Sequence, residues 1–530
     1  MFGPYGVDDA YGRAANRMEL FHNQITREQG IFSIRFFHES FGLHYLADNV
    51  TPATTVLDFP SEERFVQELR QGYDLVGISF IVANFLKAKR MAELVRQHAP
   101  EARIVLGGHG VQIPEASGEI PHDEACVGEG VRWLRRLLGE PAEAPIRHPA
   151  RLASFGGSVL GVPAQDRSAH ITPGLGCPRG CRFCSTSAFF GGSYIPYLET
   201  GREMFEACRS LERELDVRKF FVMDENFLKY PERAEELLAL MERHEKPYRF
   251  SIFSSAENVS RVGVEFLARL GTVILWLGVE SKFDIYDKNR GIDFGPLIRE
   301  LRDHGISVLA SAILFSDQHD RQTIWEDITY VVGLEPDLIQ FMLLGPVPYT
   351  PLYRGMSETG RLKTDIPYPE WHGQHRIWFE HPHFAPEETD EVLTRAFRYD
   401  YDTLGPSLVR MCDTYVRGYN TLGRLGNGFL AHRREALGRR AQKFRPFLPA
   451  ARRHAHNAAA RELVDRVMSE YNAAFGPMTV KQRVQAQVVR AFAARDRHPL
   501  PRLALRAGRN RPRRQEAPSG GEFPEPPTSP

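Results

Sequence analysis

Cys177, Cys181 and Cys184 lie in ITPGLGCPRGCRFCSTSAFFGG, a C-x3-C-x2-C spacing among glycines just after a β-like run from His170 to Pro173. Cysteine thiolates hold iron–sulfur clusters, and a full cubane takes four ligands. Three ligands within eight residues, with no partner nearby, leave one iron without a protein ligand and open to chelate a small molecule. A zinc knuckle or a structural cysteine cluster is the other reading of these residues. Zinc sites take four ligands, commonly as paired C-x2-C, and no second pair exists in this chain.

At 530 residues the chain is expected to hold two or three domains. A composition 42% hydrophobic and 25% charged, with zero net charge, is that of an ordinary globular protein and makes no global electrostatic case for nucleic acid. Six cysteines, three of them clustered, point to metal chemistry in a reducing compartment and not to a disulfide scaffold. Cys126, Cys208 and Cys412, scattered singly, read as buried small apolar residues. The opening MFGPYGVDDAYGR has neither the basic nor the apolar region of a signal peptide, and apolar runs such as Leu75 to Leu86 are too short to span a bilayer. A cytoplasmic protein is expected.

Two alternating regions must position the cysteines. From Thr54, TTVLDF reads as a strand, EERFVQELR as a helix, DLVGISFIV as a strand and ANFLKAKRMAELVRQHAP as an amphipathic helix. ARIVLGG, ACVGEG and VRWLRRLLGE continue as strand, strand with turn, and helix. Such alternation predicts a doubly wound, Rossmann-like α/β sheet whose ligands lie at the carboxyl ends of its strands. Those ends carry Ser79 and Asn84, then Gly107 to Gly110, then Gly128-Glu129-Gly130. Glycines there let a large flat ligand approach the backbone, although ordinary turns look the same. Ahead of them, FGPYGVDDAYG resembles a glycine-rich loop after a first strand, and HESFGLHYLADN reads as the first helix, with Leu43, Leu46 and Ala47 facing the sheet. His38 and His44 read as surface or packing residues.

After a connector at 146–165, the cysteine loop opens a second region. The run before the cysteines and five further β-like runs, each trailed by a helix or turn, make six βα units, a partial TIM-like barrel. Its strand ends place Asp224-Glu225, Ser254-Ser255, Glu280-Ser281 and Ser316-Asp317 on one face. Any one of these could equally cap a following helix.

With an aromatic residue, Phe183, directly before the last cysteine, the loop resembles that of the radical SAM superfamily. A doubly wound domain immediately before such a loop resembles the cobalamin-binding radical SAM enzymes, with turns matching in outline at Val105 to Gly108 and Val127 to Gly130. The resemblance covers roughly 50–365 and implies a [4Fe–4S] cluster on Cys177, Cys181 and Cys184, S-adenosylmethionine (SAM) on its open iron, and cobalamin. It implies SAM contacts by Phe183, Asp224, Glu225, Ser254, Glu280 and Ser281. It implies cobalamin contacts by Ser79, Asn84, Gly107, Gly108, Gly128 and Glu129. The D-x-H-x-x-G motif that supplies a histidine beneath cobalt in many cobalamin proteins is absent. ILFSDQHD replaces the family's usual glycine- and proline-containing turn, so no SAM contact is assigned there. The implied activity is methylation of an unactivated carbon in a lipid or secondary metabolite, with electrons from a flavodoxin or ferredoxin. Ring formation, carbon–carbon coupling or oxidation without methyl transfer is the alternative, and a non-catalytic iron–sulfur or corrinoid sensor belongs to another class.

In the last third, WHGQHRIWFEHPHF holds His372, His375, His381 and His383, which read as cavity lining or packing, since no carboxylate or cysteine completes a metal pattern. Helices follow, and between Arg433 and Arg453 eight Lys/Arg and one acid, Glu435, surround Phe444, Phe447 and Leu448. That run predicts either a solvated surface or a peripheral contact with anionic lipid. FRYDYDTLGPSLVR resembles hopanoid-methylating members of the family. Boundaries are expected at 1–145, 146–165, 166–385 and 386–500, with 501–530 a disordered tail, rich in Pro, Gly and Arg.

Overall fold

The computed structural model describes residues 22–34, 40–113, 115–152, 158–159, 162–163, 167–283, 287–425 and 428–495. Two parallel sheets carry the chemistry-bearing residues. The smaller runs β1 (Leu75–Ser79), β2 (Arg103–Gly107), β3 (Glu124–Ala125). The larger has six parallel strands paired in chain order: β4 (Ala169–Ile171), β5 (Lys219–Val222), β6 (Arg249–Ser254), β7 (Thr272–Glu280), β8 (Ser307–Leu314) and β9 (Leu338–Leu343). β4 and β9 lie at its two edges, so the barrel is open on one side.

Strand register separates the two faces of the barrel. Leu275, Leu277, Val308 and Ile339 point outward and are fully buried beneath the surrounding helices. Phe253, Trp276 and Leu309 are direct partners across the ladder and point inward, as do Ser311 and Gln340. The helices have well-formed starts: Gly201–Leu215 carries a Thr200/Glu203 capping box, and Pro231 opens Pro231–Arg243. An N-terminal segment lies against the inner face. Gln24 accepts a hydrogen bond from Gln340 at 2.7 Å, Gln340 accepts from the Trp276 indole at 3.2 Å, and Ile25 and Phe32 pack with Phe221, Leu309 and Leu338.

The junction between the sheets is built from the histidine-rich stretch. Trp371 and Trp378 stack at 5.4 Å and join the core of the small-sheet domain. Such a pair adds about 0.5–1.5 kcal/mol beyond its buried area. Cys126, Cys208 and Cys412 are buried singly, as expected.

Two expectations are corrected. TTVLDF forms no strand: Pro52 and Pro60 bracket it and Phe59 takes a left-handed φ of 46°, which overrides its β-branched composition. The helix Phe41–Asp48 buries His44, Tyr45 and Ala47, with Tyr45 against His148 and Tyr197, while Leu43 and Leu46 are only half-buried. The basic run at 433–453 is split: Arg439, Lys443, Arg452 and Arg453 are exposed, as a solvated surface would have them, while Arg433 and Arg445 are buried. Arg433 is buried and donates to the Thr272 and Gly305 carbonyls at 2.6 and 2.9 Å, Arg445 reaches Asn472 Oδ1 at 2.6 Å, and Phe444, Phe447 and Leu448 are core. These residues form a layer over the amino ends of the barrel strands. The FGPYGVDDAYG loop, His38, much of the connector and the proposed tail lie outside the described residues.

Candidate active site

β4 leads into the cysteine loop, and a short antiparallel pair, Gly174–Leu175 with Ile195–Pro196, clamps its two ends. Ser187 Oγ accepts from the Gly180 amide at 3.1 Å and donates to the Cys177 carbonyl at 2.7 Å. The Cys184 amide donates to the Cys181 carbonyl at 3.0 Å. All three cysteines are half-buried and unbonded to each other. Burial pushes the Cys184 thiol up to about 11, and the Glu225 carboxylate adds to the rise. Burial raises Cys181 too, against the pull of Lys288 and Arg179. Such thiols stay protonated at neutral pH until a metal displaces the proton. Among the described residues no three His, Cys, Asp or Glu side chains converge as a single-ion site requires. Three thiols on one short loop fit the three-cysteine ligation of an iron–sulfur cluster.

Asp224, Glu225, Ser254, Glu280 and Ser281 all lie at the carboxyl ends of β5, β6 and β7, but they turn different ways. Asp224 is buried and held within the protein. Its Oδ2 accepts from Arg233 at 2.7 Å and Tyr194 at 2.8 Å, and its Oδ1 from the Asn226 amide at 3.0 Å. Ser254 donates to Asn226 Oδ1 at 3.0 Å, an oxygen that also accepts from Asn258 at 2.9 Å. Ser281 donates to Asp327 Oδ2 at 2.6 Å, and Asp327 also holds His319 Nε2 at 2.8 Å. Both serines therefore belong to networks behind the site.

Glu225 and Glu280 differ from these. Glu225 is exposed and accepts from Thr186 Oγ1 at 3.2 Å. Glu280 is buried, takes a left-handed φ of 64°, and pairs with Lys288. A Cβ on Gly278 would meet both the Glu280 carboxylate and the Lys288 ammonium, so the ends of both side chains would have to shift. Ser255 Oγ is buried without a hydrogen-bond partner. Sequence reasoning missed Lys288, which has no motif of its own, and Asn226, whose only signal was its place after Asp224-Glu225.

A cavity of about 700 Å³ lies between the loop and the strand ends, lined in part by Cys181, Phe183, Lys288, Asp317, Met356 and Arg361. This is within the roughly 300–1,000 Å³ of small-molecule sites. Arg361 grips Asp317 through two nitrogens at 2.6 and 2.8 Å. On the inner face of the barrel, Phe253 stacks on Trp276 at 4.9 Å, Phe221 meets Phe253 edge-on at 5.6 Å, and Met223 is 40% exposed. The four histidines do not converge. His381 contacts the Ser316 carbonyl at 2.8 Å, His375 lies 3.6 Å from Asp390, and His372 is buried.

The carboxyl edge of the small sheet has its own fit. A Cβ on Gly107 or Gly128 would enter open space, whereas one on Gly108, at φ 82°, would stand 2.5 Å from the Phe80 carbonyl. Val127 and Leu86 are exposed at this edge, Ser79 is half-buried, and buried Asn84 has an Oδ1 with no partner. An open, mostly apolar edge with one unpaired amide oxygen suits a broad ring such as a corrin. The Glu129 carboxylate caps the helix Gly130–Leu137, accepting from the Val131 and Arg132 amides at 2.8 Å each and from Tyr197. Beside this edge, His109 stacks on Phe189 of the cysteine-loop helix at 4.2 Å, and its Nδ1 lies 3.0 Å from the Tyr349 hydroxyl. Burial lowers the His109 pKa to about 4, so the ring is neutral at pH 7. Tyr349 takes a left-handed φ of 72° and lies close enough to Cys184 for its hydroxyl to respond to that thiol.

Residues 171–331 match the family model described as the Radical SAM superfamily, and residues 30–138 match the B12 binding domain. The chain is 23% identical over 332 residues to an anaerobic magnesium-protoporphyrin IX monomethyl ester cyclase of Rubrivivax gelatinosus, covering 54% of this chain and 59% of that one. It is 26% identical over 214 residues to a bacteriochlorophyllide d C-12(1)-methyltransferase of Chlorobaculum tepidum, covering 38% and 46%. The chain thus spans about half of the length of these curated relatives. Among solved structures it is similar to the radical S-adenosylmethionine methyltransferase TsrM of Kitasatospora setae with cobalamin and a [4Fe–4S] cluster bound. That match has a TM-score of 0.52 and 16% identity, and covers 77% of this chain and 97% of that one. The same enzyme with tryptophan and a SAM analogue matches at a TM-score of 0.53 and 16% identity, covering 76% and 96%. The radical SAM match brings SAM and a [4Fe–4S] cluster with it, and the B12-binding match brings cobalamin. The cysteine loop, the open glycine edge and both family matches agree: the chain belongs to the cobalamin-binding radical SAM enzymes.

Proposed function

We propose that this chain methylates an unactivated carbon of an apolar small molecule, a lipid or a secondary metabolite, in a cobalamin-dependent reaction. The observation that carries the reading is the junction in which the glycine edge of the small sheet meets the cysteine loop through His109, Phe189 and Tyr349. Two cofactors held on those two edges would share one reaction space. When bound, the reduced cluster with SAM supplies a 5′-deoxyadenosyl radical that takes hydrogen from carbon, and cobalamin supplies the methyl group.

The chain's own residues place and shield these groups. Cys177, Cys181 and Cys184 hold the cluster. Glu225, exposed beside the cysteine-loop helix through Thr186, takes the ammonium of SAM, a charge-assisted contact. Glu280 accepts from the ribose hydroxyls, its orientation set by Lys288. Phe183 walls the cavity. Asn84 and Ser79 offer polar contacts to cobalamin, and Gly107, Gly108 and Gly128 let it approach. Phe253 and Trp276, half-buried beside the N-terminal segment on the inner face, offer an aromatic surface that suits a flat or apolar substrate. The named relatives include a methyltransferase, and the solved TsrM structure holds tryptophan, itself flat and aromatic. A flavodoxin or ferredoxin supplies electrons.

The test is anaerobic turnover of reconstituted protein with hydroxocobalamin, SAM and a strong reductant, measuring S-adenosylhomocysteine against 5′-deoxyadenosine. Methylcobalamin together with S-adenosylhomocysteine is the expected result. A second reading, radical ring formation without methyl transfer, is favoured by the similarity to the cyclase. It predicts deoxyadenosine with no S-adenosylhomocysteine. A sensor would give neither.

A further inference from the structure

The last described helix, Val480–Arg495, presents its apolar residues the wrong way round for a core helix. Val480, Val484, Val488 and Phe492 are 68, 59, 48 and 48% exposed, four of the ten most exposed large hydrophobic side chains among the described residues. Spaced by four, they advance about 40° per step and form one continuous stripe of roughly 120°. Ala486, Val489 and Ala493, mostly smaller, face inward against the turn Arg445–Phe447 and the helix Leu448–Arg453. The helix is thus anchored mainly by small side chains while a valine–phenylalanine ridge faces outward. Nothing in the fold requires that arrangement, and an exposed ridge of this kind marks a contact surface.

Charge identifies the partner. The helix carries Lys481, Arg483, Arg490 and Arg495 and no acid, and Lys481, Arg483 and Arg490 make no ion pair with any described residue. Residues 496–514 add seven arginines against the single acid Asp496. This basic excess stands in a chain of zero net charge, so it is concentrated at one place. A second copy of the chain would bring the same cations face to face, which is repulsive at close range. A nucleic acid would use the cations and leave the apolar ridge in water. A bilayer with anionic headgroups satisfies both features, because apolar side chains enter the headgroup–acyl boundary while basic residues meet the phosphates.

We infer that the helix Val480–Arg495 docks the protein on an anionic membrane surface through Val480, Val484, Val488 and Phe492. The helix rides on the layer that covers the amino ends of the barrel strands, the end away from the cysteine loop, so docking leaves the cavity unobstructed. This inference does not depend on which reaction the site performs.

The test is co-sedimentation of the full chain with vesicles of phosphatidylcholine alone and of equal parts phosphatidylcholine and phosphatidylglycerol. The expected result is binding to the anionic vesicles at least about 10-fold tighter than to neutral ones, weakening with salt. The variant V484E/V488E, altered only at exposed positions, should keep its circular dichroism and iron content and lose at least about 10-fold in vesicle affinity. Three results would overturn the inference. One is failure of the wild type to prefer anionic vesicles. Another is unchanged binding by V484E/V488E. The third is a wild-type dimer, seen by sedimentation velocity, that V484E dissociates, which would put a second copy on the ridge.

Discussion

The two ends of the barrel strands are built from the same residue types and behave differently. At the amino ends, buried cations meet backbone carbonyls and carboxylates. Arg433 caps the Thr272 and Gly305 carbonyls, and Asp337 accepts from the Val308 amide at 2.9 Å and from Thr414 at 2.7 Å. Asp413 gathers Arg302, Arg417 and Arg466 at 3.1, 3.0 and 2.8 Å. At the carboxyl ends, Glu280, Phe315 and Tyr349 take left-handed φ values of 64, 66 and 72°, and the buried Ser255 Oγ and Asn289 Oδ1 lack partners. Each such feature costs on the order of 1–3 kcal/mol. The amino side has such features too, in the left-handed Asp216, Glu245 and Glu335 and the unpartnered Thr272 Oγ1 and Ser307 Oγ, so what separates the two ends is the buried ion-pair layer at one and the cysteine loop with its cavity at the other.

The sharpest separation comes from the cysteine loop. Cys181→Ala should abolish both the cluster's visible absorbance after reconstitution and all formation of 5′-deoxyadenosine, while far-ultraviolet circular dichroism stays native. A variant that still cleaves SAM would remove Cys181 from the cluster and return the loop to a structural role.

The next largest effect belongs to the opposite end. Asp413→Ala leaves the buried Arg302 guanidinium short of a charge partner, which should cost about 3–5 kcal/mol of stability. Denaturant melts would measure the loss, and SAM cleavage per folded molecule should be unchanged. Unaltered stability would erase the contrast between the two ends.

Glu280→Gln and Gly278→Ala test the reactive end without touching the cluster. The first removes the charge that faces Lys288, and the second pushes a methyl group into the same ion pair. Both should weaken SAM binding by about 10–100-fold, the worth of one charge-assisted hydrogen bond, as read by equilibrium dialysis. Stability should change by less than about 1 kcal/mol for Glu280→Gln.

A smaller, pH-dependent effect is expected at the junction. Burial holds His109 at a pKa of about 4 in the folded protein, against 6.5 when unfolded. Its contribution is complete above pH 6.5 and is lost as pH falls toward 4, because only the unfolded state takes up the proton readily. The loss is on the order of 1–3 kcal/mol. His44 and His148, also lowered to about 4 by burial, act in the same direction. His109→Asn should therefore flatten, without abolishing, the fall in melting temperature between pH 6.5 and 4. An unchanged slope would take His109 out of the buried junction.

Much of this was legible in sequence, for reasons that also mark where legibility ends. Cysteine spacing is local chemistry, so the loop was read residue by residue. The six strands were visible because both faces of a barrel strand are apolar, but that same feature hid which residue of a strand-end pair turns inward. Side chains alternate along a strand, so Phe221, Met223 and Glu225 share one face and Val222 and Asp224 the other. Asp224 consequently points to Arg233 and Glu225 to Thr186 of the cysteine-loop helix. The same parity sends Ser254 to Asn226 and leaves Ser255 without a partner. The burial of Arg433 was not legible because its acceptors are the backbone carbonyls of Thr272 and Gly305, far away in sequence. The exposed ridge of the last helix was missed because its apolar spacing looks the same whether the ridge faces in or out.

The smallest effect tests the glycine edge. Asn84 is 2% exposed and its Oδ1 has no partner, so in the protein alone that oxygen is desolvated without return. Asn84→Ala removes the unsatisfied group along with some packing, and the two changes oppose each other. The net change in stability should stay within about 1 kcal/mol and could favour the variant. Cobalamin affinity should nonetheless fall by about 10-fold, the value of one buried hydrogen bond to the ring's amide side chains. Absorbance titration with hydroxocobalamin measures the affinity and denaturant melts the stability. If stability dropped by several kcal/mol while cobalamin bound as before, Asn84 would be a structural residue and no part of the cobalamin site.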